Sequence, residues 1–240
     1  MRTHPYDKLL GRKRKWSPVK PTVGVLKNGA EDTIRRALAA RHLELPVGAF
    51  IKEGLEKDVP DNARKLLEDN VKDEERHDLA LGYYADALGT DETTEKEGKL
   101  LRDAWINHPD HTITKALVAE RAIFFVLLPF FRFNGCAALR TVSADISRDE
   151  QIHVGTNSLV CAELGLSPSP SLDKLRKATI NWVLQPLGIN TYDKYLDKNF
   201  WLNASDRLMY EGKAPEFSDT KAARMPAFFE HSNVNLPKYA

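Results

Sequence analysis

The chain reads as all-α, with a four-helix bundle at its centre. Three observations predict this. Ala, Leu, Glu, Lys and Arg are frequent while Gly and Pro fall mostly between periodic runs, and few stretches alternate Val, Ile and Thr in the manner of strands. Two Glu-x-x-His spacings, Glu74/His77 and Glu150/His153, stand on two separate long helix-like segments. A length of 240 residues suits one large domain, here expected over residues 29 to 240, preceded by a basic, Pro-containing arm over residues 1 to 28.

The elements follow in order. Residues 31 to 57 read as a first long helix, interrupted at Pro46 and Gly48, and "DVPDN" over 58 to 62 is a turn. A second helix is expected over 63 to 88. The polar "GTDETTEKEG" reads as a loop leading to a short helix, and "NHPDHT" marks another start. The run 114 to 133 is apolar on nearly every face and should be a central helix buried all round. "NG" at Asn134-Gly135 turns the chain, and a helix over 137 to 164 closes at Gly165 and "SPSP". Further helices are expected over 171 to 187, over 191 to 210 and around Phe228.

Composition excludes several classes. Lys and Arg number 35 against 34 Asp and Glu, a balance that does not ask for nucleic acid or membrane lipid as a partner. The basic arm fits either a segment packed on the surface or a docking site for an acidic partner. No segment has the roughly 18 uninterrupted apolar residues of a membrane helix, and the start lacks the apolar block of a secretion signal. A soluble, cytoplasmic protein is the expectation. Cys136 and Cys161 are too few for a disulfide framework and form no CxxC pair, so both read as buried thiols.

Glu150 and His153 are three apart, so on a helix they stand one above the other, and Glu74 with His77 repeats the spacing. Bundles that hold two iron or manganese ions use two Glu-x-x-His helices and one further carboxylate from each of two other helices. Carboxylates and imidazoles suit such ions, and a carboxylate can bridge two of them and change denticity. Glu120 lies inside the apolar run, where an ionised carboxylate is costly unless paired or metal-bound. It precedes Glu150 by 30 residues, and the same step back from Glu74 lands on Glu44.

In an antiparallel hairpin, residues equidistant from the turn meet at one level. The midpoint of Glu120 and Glu150 is Gly135, and that of Glu44 and Glu74 is Val59, both inside predicted turns. Each pair would then lie about 22 Å from its loop. Other readings stand beside this one. Glu53 could replace Glu44, although it lies much nearer the turn; Glu75 points about 100° away from Glu74. Arg121 and Arg148 could neutralise buried acids in a purely structural ion network, and His42, His108, His111 and His231 read as surface or core histidines.

"ISRDEQIH" resembles the SRDE-x-x-H helix of class I ribonucleotide reductase small subunits, and "AERAIFFVLLPFF" resembles the ligand helix before it. "YLDKNFWLNASDRLMYEGKAPEF" and "PAFFEHSNV" resemble later family segments, so the similarity spans residues 31 to 235. The resemblance implies a ferritin-like bundle with additional C-terminal helices. It implies a centre of two Fe, one Mn and one Fe, or two Mn, ligated by Glu44, Glu74, His77, Glu120, Glu150 and His153 and using O2 as oxidant. It makes Asp149 the acid hydrogen-bonded to His77, and Phe124 with Leu128 the lining of an oxygen pocket. It also implies a homodimer and a large catalytic subunit as partner.

The chain departs from the family at Leu81, which stands where a radical tyrosine is usual, four residues after His77. Tyr84, about 10 Å along the axis from His77, is the substitute candidate. The tail that engages the large subunit reads as short or absent after "NLPKYA", unless Tyr239 belongs to a reduced version. Three functions follow: a reduced small subunit passing an oxidising equivalent to a large subunit; a stand-alone oxidase or oxygenase acting on a small apolar substrate; or a non-catalytic metal-storage or assembly protein.

Overall fold

The computed structural model of the chain describes residues 4–22, 24–57 and 59–217. The expected helix around Phe228, together with His231 and Tyr239, lies outside the described residues. Among the described residues most helices are joined by short turns, the longer connections being those that lead to Glu31 and to Lys198, and the sole β feature is an isolated bridge between Gly188 and Asp197.

Helix α1 is Pro5–Leu10, and α2 is Glu31–Ala39. After a 3-10 turn at Ala40–Leu43 the chain continues as α3, Glu44–Leu55. The interruption thus falls before Glu44, and Pro46 and Gly48 lie inside α3. Pro46 is tolerated because the backbone N–H groups of a first helical turn have no intrahelical partner. At Gly48 an added Cβ would stand 3.3 Å from Glu74 Cβ, so the missing side chain lets α3 approach its neighbour closely.

Helix α4 runs Asp61–Leu88 and ends at Gly89, whose φ of 74° is a left-handed value that glycine adopts without strain. Helix α5, Glu92–Ile106, occupies most of the stretch read as a polar loop. The Asp91 side chain accepts from the Thr94 backbone N–H, and this N-cap starts the helix in spite of the polar composition.

The central apolar run is α6, Thr112–Ala119, then a π-helical turn at Glu120–Phe124, then α7, Phe125–Asn134. Gly135 follows, where a Cβ would lie 2.5 Å from the Phe131 carbonyl oxygen, so the turn needs glycine. Helix α8 is Ala137–Glu163, α9 is Pro170–Val183 and α10 is Lys198–Glu211. Helix α10 starts later than residue 191 because Asp197 caps it, accepting from the backbone N–H groups of Asn199 and Phe200.

Helix α3 packs on α4 and α6, α4 on α8, and α6 and α7 on α8, which closes a four-helix bundle. Two short-turn hairpins, α3/α4 and α6–α7/α8, form it. Helices α5, α9 and α10 pack outside, with Trp105 and Trp201 fully buried between layers. Burial of this apolar interior is the main term favouring the fold. No helix among the described residues is long and apolar enough to cross a membrane.

Candidate metal centre

Each bundle helix contributes acidic or imidazole side chains to one buried level. Glu44 begins α3, Glu74 and His77 stand one turn apart on α4, Glu120 opens the π-helical turn, and Glu150 and His153 stand one turn apart on α8. All six side chains are 0% exposed. The two imidazole rings lie 5.6 Å apart, centroid to centroid. A single extra residue in a helix shifts everything after it by about 100°, and π-turns of this kind concentrate at functional sites.

Glu74 and Glu150 lie between the two imidazoles. Glu74 places Oε1 2.9 Å from His153 Nδ1 and Oε2 3.7 Å from His77 Nδ1. Glu150 places Oε1 3.2 Å from His77 Nδ1 and Oε2 3.7 Å from His153 Nδ1. The outer carboxylates divide between the ends: Glu44 Oε2 is 3.8 Å from His77 Nδ1, and Glu120 Oε1 is 3.8 Å from His153 Nδ1. Glu74, His77, Glu150 and His153 each offer one donor atom within 4.8 Å of all the others, and this group could hold a metal ion.

The outward nitrogens are engaged. His77 Nε2 is 3.2 Å from Asp149 Oδ2, and His153 Nε2 is 3.1 Å from Asp73 Oδ2. With Nε2–H donating outward, each Nδ1 keeps its lone pair toward the interior. Both oxygens of Glu44, Glu74 and Glu150, Oε1 of Glu120 and both Nδ1 atoms are buried without a hydrogen-bond partner. Buried polar atoms are ordinarily satisfied, and so many orphans converging on one point are what cations bound there would satisfy. The remaining oxygen of Glu120 accepts from Asn157 Nδ2 at 2.7 Å.

The crowding of acids and imidazoles shows in their electrostatics. Burial foremost, with repulsion from Glu74 and Glu150, raises Glu44 well above the carboxylate range against the pull of His77. Burial and then repulsion from Glu150 do the same at Glu120, while at Glu150 burial and then repulsion from Glu74 raise the carboxyl above its ordinary value. At Glu74 burial is outweighed by His153 and His77, which hold it down to about 2. Burial would lower both imidazoles, but the carboxylates around them prevail and raise His77 and His153 well above the ordinary value.

Asp149, expected as the partner of His77, lies there. Asp73 was missed. It repeats the arrangement on the other histidine, and the signal was present in the sequence, because both motifs read Asp-Glu-x-x-His. Each Asp on one helix serves the His of the other. Arg76 donates to both, to Asp73 Oδ1 and at 3.2 Å to Asp149 Oδ2. Trp16 Nε1 donates to Asp149 Oδ2 at 2.7 Å, and Lys13 pairs with Asp73.

The competing candidates lie elsewhere. Glu53 is exposed and paired with Lys57 at 2.6 Å, and Glu75 is exposed opposite Lys52. Neither reaches the cluster. Arg148 pairs with Asp145, and Arg121 reaches Ser158. His42 bonds Glu95, His108 bonds Ser171, and His111 caps α6. Phe124 closes the π-helical turn, 2% exposed, and Leu128 lies one turn on, 1% exposed. Leu81 and Tyr84 are both buried on α4 beyond His77.

No protein-family model and no curated protein sequence matches the chain. Among solved structures, the chain is similar to a protein from Bacillus halodurans provisionally described as a class I ribonucleotide reductase, with a TM-score of 0.53 and 13% sequence identity. The match covers 95% of this chain and 98% of that one. This likeness establishes the fold as an all-α, ferritin-like bundle.

Proposed function

We propose that the chain is a two-metal oxidoreductase of the ribonucleotide reductase small-subunit type, with Glu44, Glu74, His77, Glu120, Glu150 and His153 as ligands. The observation that carries this reading is the convergence of buried, unpartnered oxygens and Nδ1 atoms in the four-carboxylate, two-histidine set that such bundles use. The Bacillus neighbour's description supports the same class. Two Fe, one Mn and one Fe, or two Mn would supply the reduction of O2 and an oxidising equivalent when bound.

The chain's own residues do the rest. Glu74 and Glu150, each within reach of both imidazoles, and Glu44 and Glu120, each beside one of them, would hold the ions together with the two histidines. Asp149 and Asp73 hold the Nε2 protons of His77 and His153 and so keep each Nδ1 free for a ligand bond. Phe124 and Leu128, both buried, would help keep water from the centre. A leucine cannot hold a stable radical, so Leu81 offers no redox side chain, and Tyr84, buried further along α4, is the candidate that would take up an oxidising equivalent. The partners in this reading are a second copy of the chain and a large subunit that reduces ribonucleotides.

Leu81 also favours a second reading, a stand-alone oxidase or oxygenase acting on a small apolar substrate. The test is anaerobic Fe(II) loading followed by air, with metal analysis, O2 consumption and electron paramagnetic resonance. The proposal expects O2 uptake with two ions bound per chain, and nucleotide reduction once a large subunit is added. Uptake that oxidises a co-purified apolar molecule without a large subunit supports the second reading. Full occupancy without O2 uptake would contradict both and leave metal storage.

A further inference from the structure

The mirror-related acids Asp73 and Asp149 each have three donors, and one of the three comes in each case from the basic arm. Asp73 is met by His153, Arg76 and Lys13; Asp149 is met by His77, Arg76 and Trp16. Arg76 is a single guanidinium shared between two carboxylates, so neither acid keeps a full set of partners if the arm lifts. The arm is seated firmly enough to matter. Tyr6 of α1 is 1% exposed with its hydroxyl donating to Glu163 at 2.9 Å, and Leu9 lies against Gly155, where a Cβ would stand 3.2 Å away. Trp16 lies nearly parallel to the His77 ring at 6.1 Å, with the Arg76 guanidinium 5.1 Å from the indole centroid. The basic run itself stays accessible: Arg12, Arg14 and Lys15 are exposed and lie outside any helix.

We propose that the arm is the outer closure of the centre, with Lys13 a positioning residue that acts on His153 through Asp73, so that arm docking and cation binding strengthen each other. This rests on the metal-centre reading above. A cation at Nδ1 would fix the His153 ring and with it the Nε2–H aimed at Asp73 Oδ2, the same oxygen that Lys13 meets, so that holding either partner in place orders the other through Asp73. The coupling is reciprocal: whatever factor the docked arm adds to cation affinity, the cation adds to docking.

The experiment uses the full chain, Mn(II) as the probe and trypsin as the reporter of docking. Saturating Mn(II) should slow cleavage within residues 12 to 15 on the order of tenfold, read by mass spectrometry of the early fragments, and Lys13→Met should weaken Mn(II) binding by a similar factor. Lys13→Arg should restore both, and the melting temperature of metal-free Lys13→Met should stay near wild type, which separates positioning from folding. Cleavage indifferent to Mn(II), or unchanged affinity in Lys13→Met while Mn(II) binds, overturns the coupling and leaves the metal centre standing. A wild-type chain that binds no Mn(II) overturns the metal-centre reading, and the coupling with it.

Discussion

Glu44→Met separates a metal centre from a buried ion network most sharply, because the two make opposite statements about the metal-free protein. Glu44 is 0% exposed and neither carboxyl oxygen has a hydrogen-bond partner. An unsatisfied buried group of this kind costs about 1–3 kcal/mol, and methionine fills a similar volume without polar atoms. For a chain of this size each kcal/mol moves the melting midpoint by about 2–4 °C, so Glu44→Met in the presence of a chelator should melt about 2–12 °C above wild type. Cations reverse the order. At about a hundred times Kd, each ion that binds only the folded state adds about 2.7 kcal/mol, and two add about 5, a gain the variant forfeits in large part. The assay is a pair of calorimetric melts for each protein, with chelator and with excess Mn(II). A variant that melts below wild type with chelator would show that Glu44 stabilises the fold by itself, and would refute the reasoning.

Glu120→Ala should lower bound metal sharply, because Glu120 is fully buried beside His153, whereas Glu53→Ala should leave it near normal, because Glu53 is exposed and paired with Lys57; metal analysis after gel filtration decides between them. Gly135→Ala should destabilise by about 1–3 kcal/mol, since its Cβ would stand 2.5 Å from the Phe131 carbonyl oxygen, and urea denaturation measures the loss. Glu95 supplies a pH test. Burial raises its carboxyl, but hydrogen bonds from Arg41, His42 and Thr90 prevail and hold it down to about 2 from an ordinary 4.5. A depressed carboxyl stabilises above its unfolded value and loses that contribution as pH falls through the folded one. The stability gap between wild type and Glu95→Gln should therefore be full at neutral pH and close between 4.5 and about 2; a gap that persists at acid pH would contradict the assignment.

The bundle was legible because its helices are long, its turns carry Gly and Pro, and equidistance from Gly135 and Val59 fixes which carboxylates share a level. What was not legible has particular causes. The π-helical turn at Glu120–Phe124 sits in a run that is apolar on every side, so no periodic signal betrays an extra residue. Pro46 carries the signature of a break although a first helical turn accepts proline, and the polar composition of the α5 stretch hides the Asp91 cap. Asp73 is legible in the repeated Asp-Glu-x-x-His, where it stands in the same place as Asp149. The seating of Trp16 and Lys13 on the outer acids depends on tertiary packing between residues 133 and 60 positions apart, which local pattern does not encode.

Anomalous diffraction from crystals of the full chain loaded with Mn(II), recorded at the manganese edge, is the most direct measurement. Two peaks are expected inside the bundle, one beside His77 Nδ1 with Glu44 and one beside His153 Nδ1 with Glu120, with Glu74 and Glu150 between them. A bundle interior without a peak at either imidazole would contradict the metal-centre reading.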